Sequence, residues 1–385
     1  MTPFVFNTSK SIQFGAGALE RIGELVKEHI GDQVMLVTDP GITATGIVDR
    51  ALAALHRAEI SVTTFSEVEA DPPEAVILRA TGQAIEAGVS GVVGLGGGSS
   101  LDVAKLVALL AAQQEKLAEV YGVGNAKGPR LPLLLAPTTA GTGSEVTPIS
   151  IVTTGANEKM GVVTPVILPD VALLDPELTY DLPAHITAAT GIDAMVHAIE
   201  AYASASPNNN PISRMLAVQA LTLMGRSLLA AVRDGSDSAA RSDMLLGSML
   251  AGQAFANSPV AAVHALAYPL GGHFHIPHGL SNALVLPHVM RFNIAAKPQP
   301  YAELAPHLFP DLAAFEGQER AVAFCEKLTD LAMACGLQQN LRAMNIPEAI
   351  LPRLASDAMN QQRLLVNNPR PLTEADALAI YQAAY

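Results

Sequence analysis

A chain of 385 residues exceeds the roughly 250–300 residues over which one hydrophobic core keeps growing, so two domains are expected. Half of the residues are hydrophobic and 15% are charged, which suits large buried cores and excludes a disordered chain. The formal net charge of −13 argues against a nucleic-acid partner, because neutralising phosphates takes a basic face.

Cys325 and Cys335, the only two cysteines, sit ten residues apart in an Ala/Leu-rich stretch and make no disulfide framework. The start, Met1 to Phe14, lacks the basic and apolar regions of a signal peptide. No uncharged apolar run reaches the roughly 18 residues of a membrane span, and Lys105 interrupts the best candidate, Leu101 to Ala112. A soluble, cytoplasmic protein without a membrane partner is the expectation.

In chain order, Val34 to Val37 predicts a strand, followed by the turn Asp39-Pro40-Gly41 and a helical pattern to about Arg57. Val62 to Phe65 predicts a second strand and Pro73 to Ala87 a helix. Gly91 to Leu95 predicts a third strand ending in glycines, Ser99 to Gln113 a helix, and Leu131 to Ala136 a fourth strand closed by Pro137-Thr138-Thr139. Strands alternating with helices imply a parallel sheet with helices on both faces. From about Asp181 the periodicity is helical almost to Tyr385, punctuated by prolines. The expected fold is thus α/β plus all-α: a Rossmann-like dinucleotide-binding domain over 1–180, and an all-helical metal and substrate domain over 181–385.

Ligands bind parallel sheets at the carboxyl ends of the strands, where Asp39, the glycines at 96–98 and Thr138 and Thr139 all fall. Gly94-Leu95-Gly96-Gly97-Gly98-Ser99-Ser100 reads either as a phosphate cradle at a helix start or as a plain tight turn, since the spacing G-x-G-x-x-G fails at Ser99. Asp39 reads either as a carboxylate for the ribose hydroxyls of NAD, repelling the extra phosphate of NADP, or as a helix cap. Asp71 carries the same two readings.

Asp193 and His197 stand four apart and share a face if helical. Their readings are metal ligands or satisfied core residues. From Leu246 to Met290 there is no Asp, Glu, Lys or Arg, yet five histidines occur, at 264, 273, 275, 278 and 288. Imidazoles in such surroundings need partners, and a metal supplies one. One carboxylate and three imidazoles suit Fe²⁺ or Zn²⁺.

Taken together, Gly96 to Ser99 with Asp102-Val103-Ala104-Lys105, Pro137 to Glu145, Asp175-Pro176, Gly191 to His197, Ala251 to Asn257, His264 and Pro277-His278-Gly279 resemble the iron-containing (group III) alcohol dehydrogenases, a family that includes lactaldehyde reductase. The resemblance runs over nearly the whole chain. It implies metal ligation by Asp193, His197, His264 and His278. It further implies a cofactor site that includes Gly96 and Asp102, with pyrophosphate at Gly97, Gly98 and Ser99 and contacts from Thr138, Thr139, Thr142 and Lys159. Asp39 matches the ribose-binding carboxylate, a homodimer is implied, and the active site is expected in a cleft between the domains.

The chain departs from the family pattern at several places. Tyr268 stands where many members have a proton-relaying histidine, so Tyr268 and His273 are both candidates for the relay. Ile149 replaces an Asn, Asp71 replaces another, and Ser258-Pro259 stands where glycine is common. The function these features imply is hydride transfer between NAD(H) and a small neutral alcohol or aldehyde with Lewis-acid help from the metal, Phe255 lining the substrate side. Two alternatives are a dehydroquinate-synthase-like lyase that uses NAD transiently and an inactive scaffold.

Overall fold

A computed structural model of the chain describes residues 3–155 and 158–385. They form two compact units. Asn7–Asp181 make one, and Leu182–Tyr385 with the N-terminal segment through Phe6 make the other.

Among its described residues the first unit holds nine strands: β1 (Ser11–Phe14), β2 (Gln33–Val37), β3 (Ser61–Phe65), β4 (Gly91–Gly96), β5 (Gly122–Val123), β6 (Leu133–Pro137), β7 (Ile149–Thr154), β8 (Glu158–Val163) and β9 (Val171–Leu174). Its helices are α1 (Ile22–His29), α2 (Pro40–Thr43), α3 (Ile47–Arg57), α4 (Glu74–Glu86), α5 (Gly98–Ala111) and α6 (Leu117–Val120). Six strands pair in the order β1-β9-β6-β4-β2-β3, all parallel. Successive side chains of a strand point to opposite faces, and the core divides accordingly. Met35, Val37, Val92, Leu133 and Leu135 pack with α4 and α5. Val34, Leu36, Val93, Leu95, Leu134 and Ala136 pack with α1 and α3 on the other face. Burial on both faces is why these strands read as continuous apolar runs.

The four strands expected from sequence appear within two residues of their expected ends. Two features go beyond that reading. Strand β9 and, outside it, the edge strand β1 extend the sheet, and β5, β8 and β7 form a separate small sheet, with β7 antiparallel to β8. Where a turn at Asp39-Pro40-Gly41 and a helical pattern running on to about Arg57 are expected, the structure has two helices, α2 and α3, separated at Gly46, which adopts a left-handed conformation (φ +81°) before α3.

The second unit is helical throughout its described residues: α7 (Ala184–Ala203), α8 (Pro211–Arg233), α9 (Ser238–Asn257), α10 (Ala262–Phe274), α11 (His278–Ile294), α12 (Gln299–Leu308), α13 (Gly317–Ala334), α14 (Leu351–Ala358), α15 (Gln362–Leu365) and α16 (Glu374–Ala383), with short 3₁₀ turns. Helix α8 is long and apolar enough to cross a membrane. It packs against α7 and α9 instead, and its Arg214 and Arg226 pair with Glu303 and Asp243 at 2.7 Å each. Cys325 and Cys335 are both buried free thiols.

Candidate active site: a glycine cradle and an Asp/His cluster

Strands β2, β4 and β6 are neighbours in parallel register, so their carboxyl ends lie side by side. This brings together the three polar clusters that are far apart in sequence. A Cβ on Gly96, whose φ is +154°, would lie 2.7 Å from Ser100 and 3.1 Å from Asp39 Oδ2. A Cβ on Gly98 would meet Thr142 Cγ2 at 2.6 Å, and one on Gly97 would meet Thr139 Cγ2 at 3.6 Å. At 96 and 98 only glycine leaves the loop open beside Asp39 and Thr142, whereas at 97 the contact with Thr139 is an ordinary one. Gly98 starts the 14-residue helix α5, whose first N–H groups have no partner within the helix and whose dipole favours an anion. The buried Thr138 hydroxyl has no hydrogen-bond partner among the described residues, as expected of a group that waits for a ligand.

Asp39 takes the helix-cap reading in this structure. Oδ1 accepts from the Ile42 N–H at 3.0 Å, and Oδ2 accepts from Ser100 Oγ at 2.9 Å. The same carboxylate borders the cradle, so capping and ligand binding are compatible roles. Asp71 has a left-handed backbone (φ +54°) and pairs with Lys159, Oδ1 to Nζ 2.6 Å, while Lys159 donates to Thr153 Oγ1 at 3.0 Å.

Asp102 is tied to the loop after β6. Oδ1 accepts from Ser144 Oγ at 2.6 Å and Oδ2 from the Ile151 N–H at 2.8 Å. Lys105, fully buried, donates to Ser144 Oγ and the Ile149 carbonyl, each at 2.7 Å. Burial pushes the Glu145 carboxyl up to about 7 and the Lys105 ammonium down to about 8, Asp102 and Glu145 opposing the latter. Asp102 therefore acts through the loop that carries Thr142, holding it against α5. The buried lysine carried a sequence signal, the lone cation of α5.

In the helical unit, Asp193 and His197 sit one turn apart on α7, His264 on the first turn of α10, and His278 opens α11 after Pro277. One donor atom from each lies within 4.8 Å of all the others. Opposed ligands about 2.1 Å from an ion are about 4.2 Å apart, so the four donors converge on a space fit for one metal ion after a small contraction. Burial pushes the Asp193 carboxyl up, but His197, His278, His264 and the Asn282 amide outweigh it and hold it below the usual range. Close approach of the helices makes the cluster possible. A Cβ on Gly279 would lie 2.3 Å from the Ala189 carbonyl oxygen of α7.

Two neighbours escaped the sequence reading. Glu200, buried on α7, accepts from the Val263 N–H and bonds His264 Nδ1, both at 2.7 Å. Its signal is the spacing: 193, 197 and 200 follow i, i+4, i+7 on one helix face. Asn282, four residues after His278, donates to Asp193 Oδ1 and has a buried Oδ1 without a partner among the described residues.

The remaining candidates separate. The Phe255 ring stacks on His197 with centroids 4.3 Å apart. Tyr268 lies by the cluster, its ring 5.8 Å from that of His278, and its hydroxyl accepts a long hydrogen bond from Arg363. His273 is bonded to Asp357 at 2.7 Å on the exposed side of α10.

Comparison with known proteins agrees over the full length. Residues 9–176 match the family model "Iron-containing alcohol dehydrogenase", and residues 187–385 match "Fe-containing alcohol dehydrogenase family, C-terminal". Long-chain-alcohol dehydrogenase 1 of Geobacillus thermodenitrificans is 42% identical over 96% of this chain and 94% of its own. The 1,3-propanediol dehydrogenase of Klebsiella pneumoniae is 36% identical over 97% and 96%. The crystal structure of a 1,3-propanediol oxidoreductase superposes with a TM-score of 0.95 at 34% identity, covering both chains completely. These relatives are oxidoreductases and give no support to the lyase or scaffold alternatives. The chain belongs to the iron-containing alcohol dehydrogenases, NAD-linked enzymes that interconvert alcohols and aldehydes.

Proposed function

We propose that this enzyme oxidises small neutral primary alcohols, or reduces the matching aldehydes, with NAD(H) bound by residues 1–180 and metal and substrate by residues 181–385. The observation that carries the proposal is the convergence of Asp193, His197, His264 and His278 within 4.8 Å, in surroundings where 246–290 contribute no charged side chain. The donor set, one hard carboxylate oxygen and three borderline imidazole nitrogens, fits Fe²⁺ and accepts Zn²⁺. When bound, the ion supplies Lewis acidity to the alcohol or aldehyde oxygen.

The protein's own groups do the rest. Phe255, stacked on His197, gives the ligand cluster an apolar wall. The uncharged stretch disfavours anionic substrates, which want Arg or Lys partners. Tyr268, whose ring lies 5.8 Å from that of His278, is favoured over His273 to pass the alcohol proton towards solvent, because His273 is engaged by Asp357. N–H groups at Gly97, Gly98 and Ser99 take the pyrophosphate. Gly96 provides clearance, and Thr138, Thr139, Thr142 and Lys159 contact the cofactor. Asp39 accepts the ribose hydroxyls in exchange for Ser100, and with Asp71 disfavours the NADP phosphate. Asp102 serves by holding the Thr142 loop.

We further propose a cytoplasmic homodimer; the buried free thiols suit a reducing compartment. The test of the substrate reading is a panel of primary alcohols from methanol to long chains, plus anionic analogues, assayed for NAD and NADP reduction by the iron-loaded enzyme. Neutral alcohols with NAD are expected to give the highest kcat/KM. A preference for an anionic substrate overturns the reading.

A further inference from the structure

Behind the ligand cluster, on the side of His264 away from Asp193, lies a small closed chain of polar groups that the reaction as described does not use. Glu200 is 6% exposed, and both of its oxygens are committed locally, Oε1 to the Val263 N–H and Oε2 to His264 Nδ1. A carboxylate is an acceptor only. With Glu200 as the acceptor, the 2.7 Å contact is made by an N–H at His264 Nδ1, which turns Nε2 to the other side of the ring. That nitrogen faces the cluster, 3.8 Å from Asp193 Oδ1. Beyond Glu200 lies a cavity of about 10 Å³, room for one water, bordered by Glu200, Tyr301, Asn293 and Asn368. Asn293 donates to the Tyr301 hydroxyl at 3.0 Å and exchanges two hydrogen bonds with Asn368, at 3.0 and 2.7 Å. The Tyr301 hydroxyl accepts from Asn293 and keeps its own proton to donate, and Tyr301 and Glu200 line the same cavity.

We propose that Glu200 is a positioning residue of the metal site, fixing the tautomer and ring orientation of His264, and that one ordered water links it to Tyr301. The proposal rests on the metal reading given above. A histidine that ligates through one nitrogen while donating through the other to a carboxylate is a stronger and better oriented ligand, and losing the carboxylate typically weakens metal binding by about 10–100-fold. The buried charge of Glu200, costly without a cation in reach, offsets part of the positive charge that a divalent ion brings.

The test is metal affinity of the full-length apoprotein, measured by competition with a chromophoric chelator for Co²⁺ and Zn²⁺, in the parent, Glu200→Gln and Tyr301→Phe. Gln keeps the shape and an acceptor oxygen but loses the charge. Glu200→Gln is expected to bind about 10–100-fold more weakly, with a shifted Co²⁺ absorption spectrum, unchanged NAD binding and an unchanged apoprotein melting temperature. Tyr301→Phe is expected to weaken binding by less than Glu200→Gln does. Affinity of Glu200→Gln within about threefold of the parent overturns the proposal and leaves the metal reading intact. A parent that binds neither ion sinks both. Should Glu200→Gln fold poorly, ¹⁵N NMR of the His264 ring in the parent protein decides: a protonated, hydrogen-bonded Nδ1 is expected, and an unprotonated Nδ1 contradicts the assignment.

Discussion

Gly279→Ala is the substitution whose effect follows most directly from the packing. Gly279 is the second residue of α11, directly after His278, and an added Cβ would stand 2.3 Å from the Ala189 carbonyl oxygen and 3.3 Å from Asp193 Cβ. Ordinary contact needs about 3.4 Å, so the start of α11 must withdraw from α7 by about 1 Å. The obstacle is helix backbone, which cannot rotate away as a side chain can, and overpacking of this kind costs about 1–3 kcal/mol. For a unit of this size each kcal/mol lowers the melting temperature by about 2–4 °C. The shift also carries His278 away from Asp193, from which its Nε2 now stands 3.8 Å, so metal affinity is expected to fall by at least about tenfold. Differential scanning calorimetry of the apoprotein reads the first effect and chelator competition the second. A variant that melts within about 1 °C of the parent and binds metal equally well refutes the close approach of α7 and α11.

Other outcomes follow from the same geometry. Lys105→Met strands Asp102 and Glu145 without their buried cation and is expected to cost about 3–5 kcal/mol in urea denaturation. The folded-state pKa of Glu145, about 7, lies above its ordinary 4.5. Its contribution to stability is therefore present below pH 4.5 and lost as pH rises to about 7, and Glu145→Gln should flatten the stability profile across that window. Asp39→Asn keeps the cap on α2 but removes the charge, so the NADP to NAD ratio of kcat/KM should rise by about tenfold or more. Tyr268→Phe should lower kcat by about 100-fold or more if the phenol passes the proton, with His273→Asn near parent activity; the reverse pattern moves the relay to His273.

What was legible in the sequence was what a single element or a fixed topological rule controls. The parallel sheet dictates that strand ends meet, so Asp39, Gly96–Gly98 and Thr138–Thr139 converge whatever the loops between them. Helical spacing puts Asp193 and His197 on one face. Less legible were features set by contacts between elements. Strand β1 is a four-residue edge strand and carries no alternation strong enough to announce itself. Strands β7 and β8 pair locally in a small sheet that β5 completes. Glu200 reads as one more polar helix position until α10 brings the Val263 N–H and His264 against it. Asp71 and Lys159 are 88 residues apart in sequence, and only the fold reveals them as a pair.

The most direct measurement is alcohol-dependent NADH formation by protein stripped of metal and then reloaded with Fe²⁺, alongside Asp193→Ala treated identically. Activity that returns with iron in the parent and stays absent in the variant is the expected result. Equal turnover with and without metal, or full activity in Asp193→Ala, would contradict the assignment of the Asp/His cluster as the catalytic metal site.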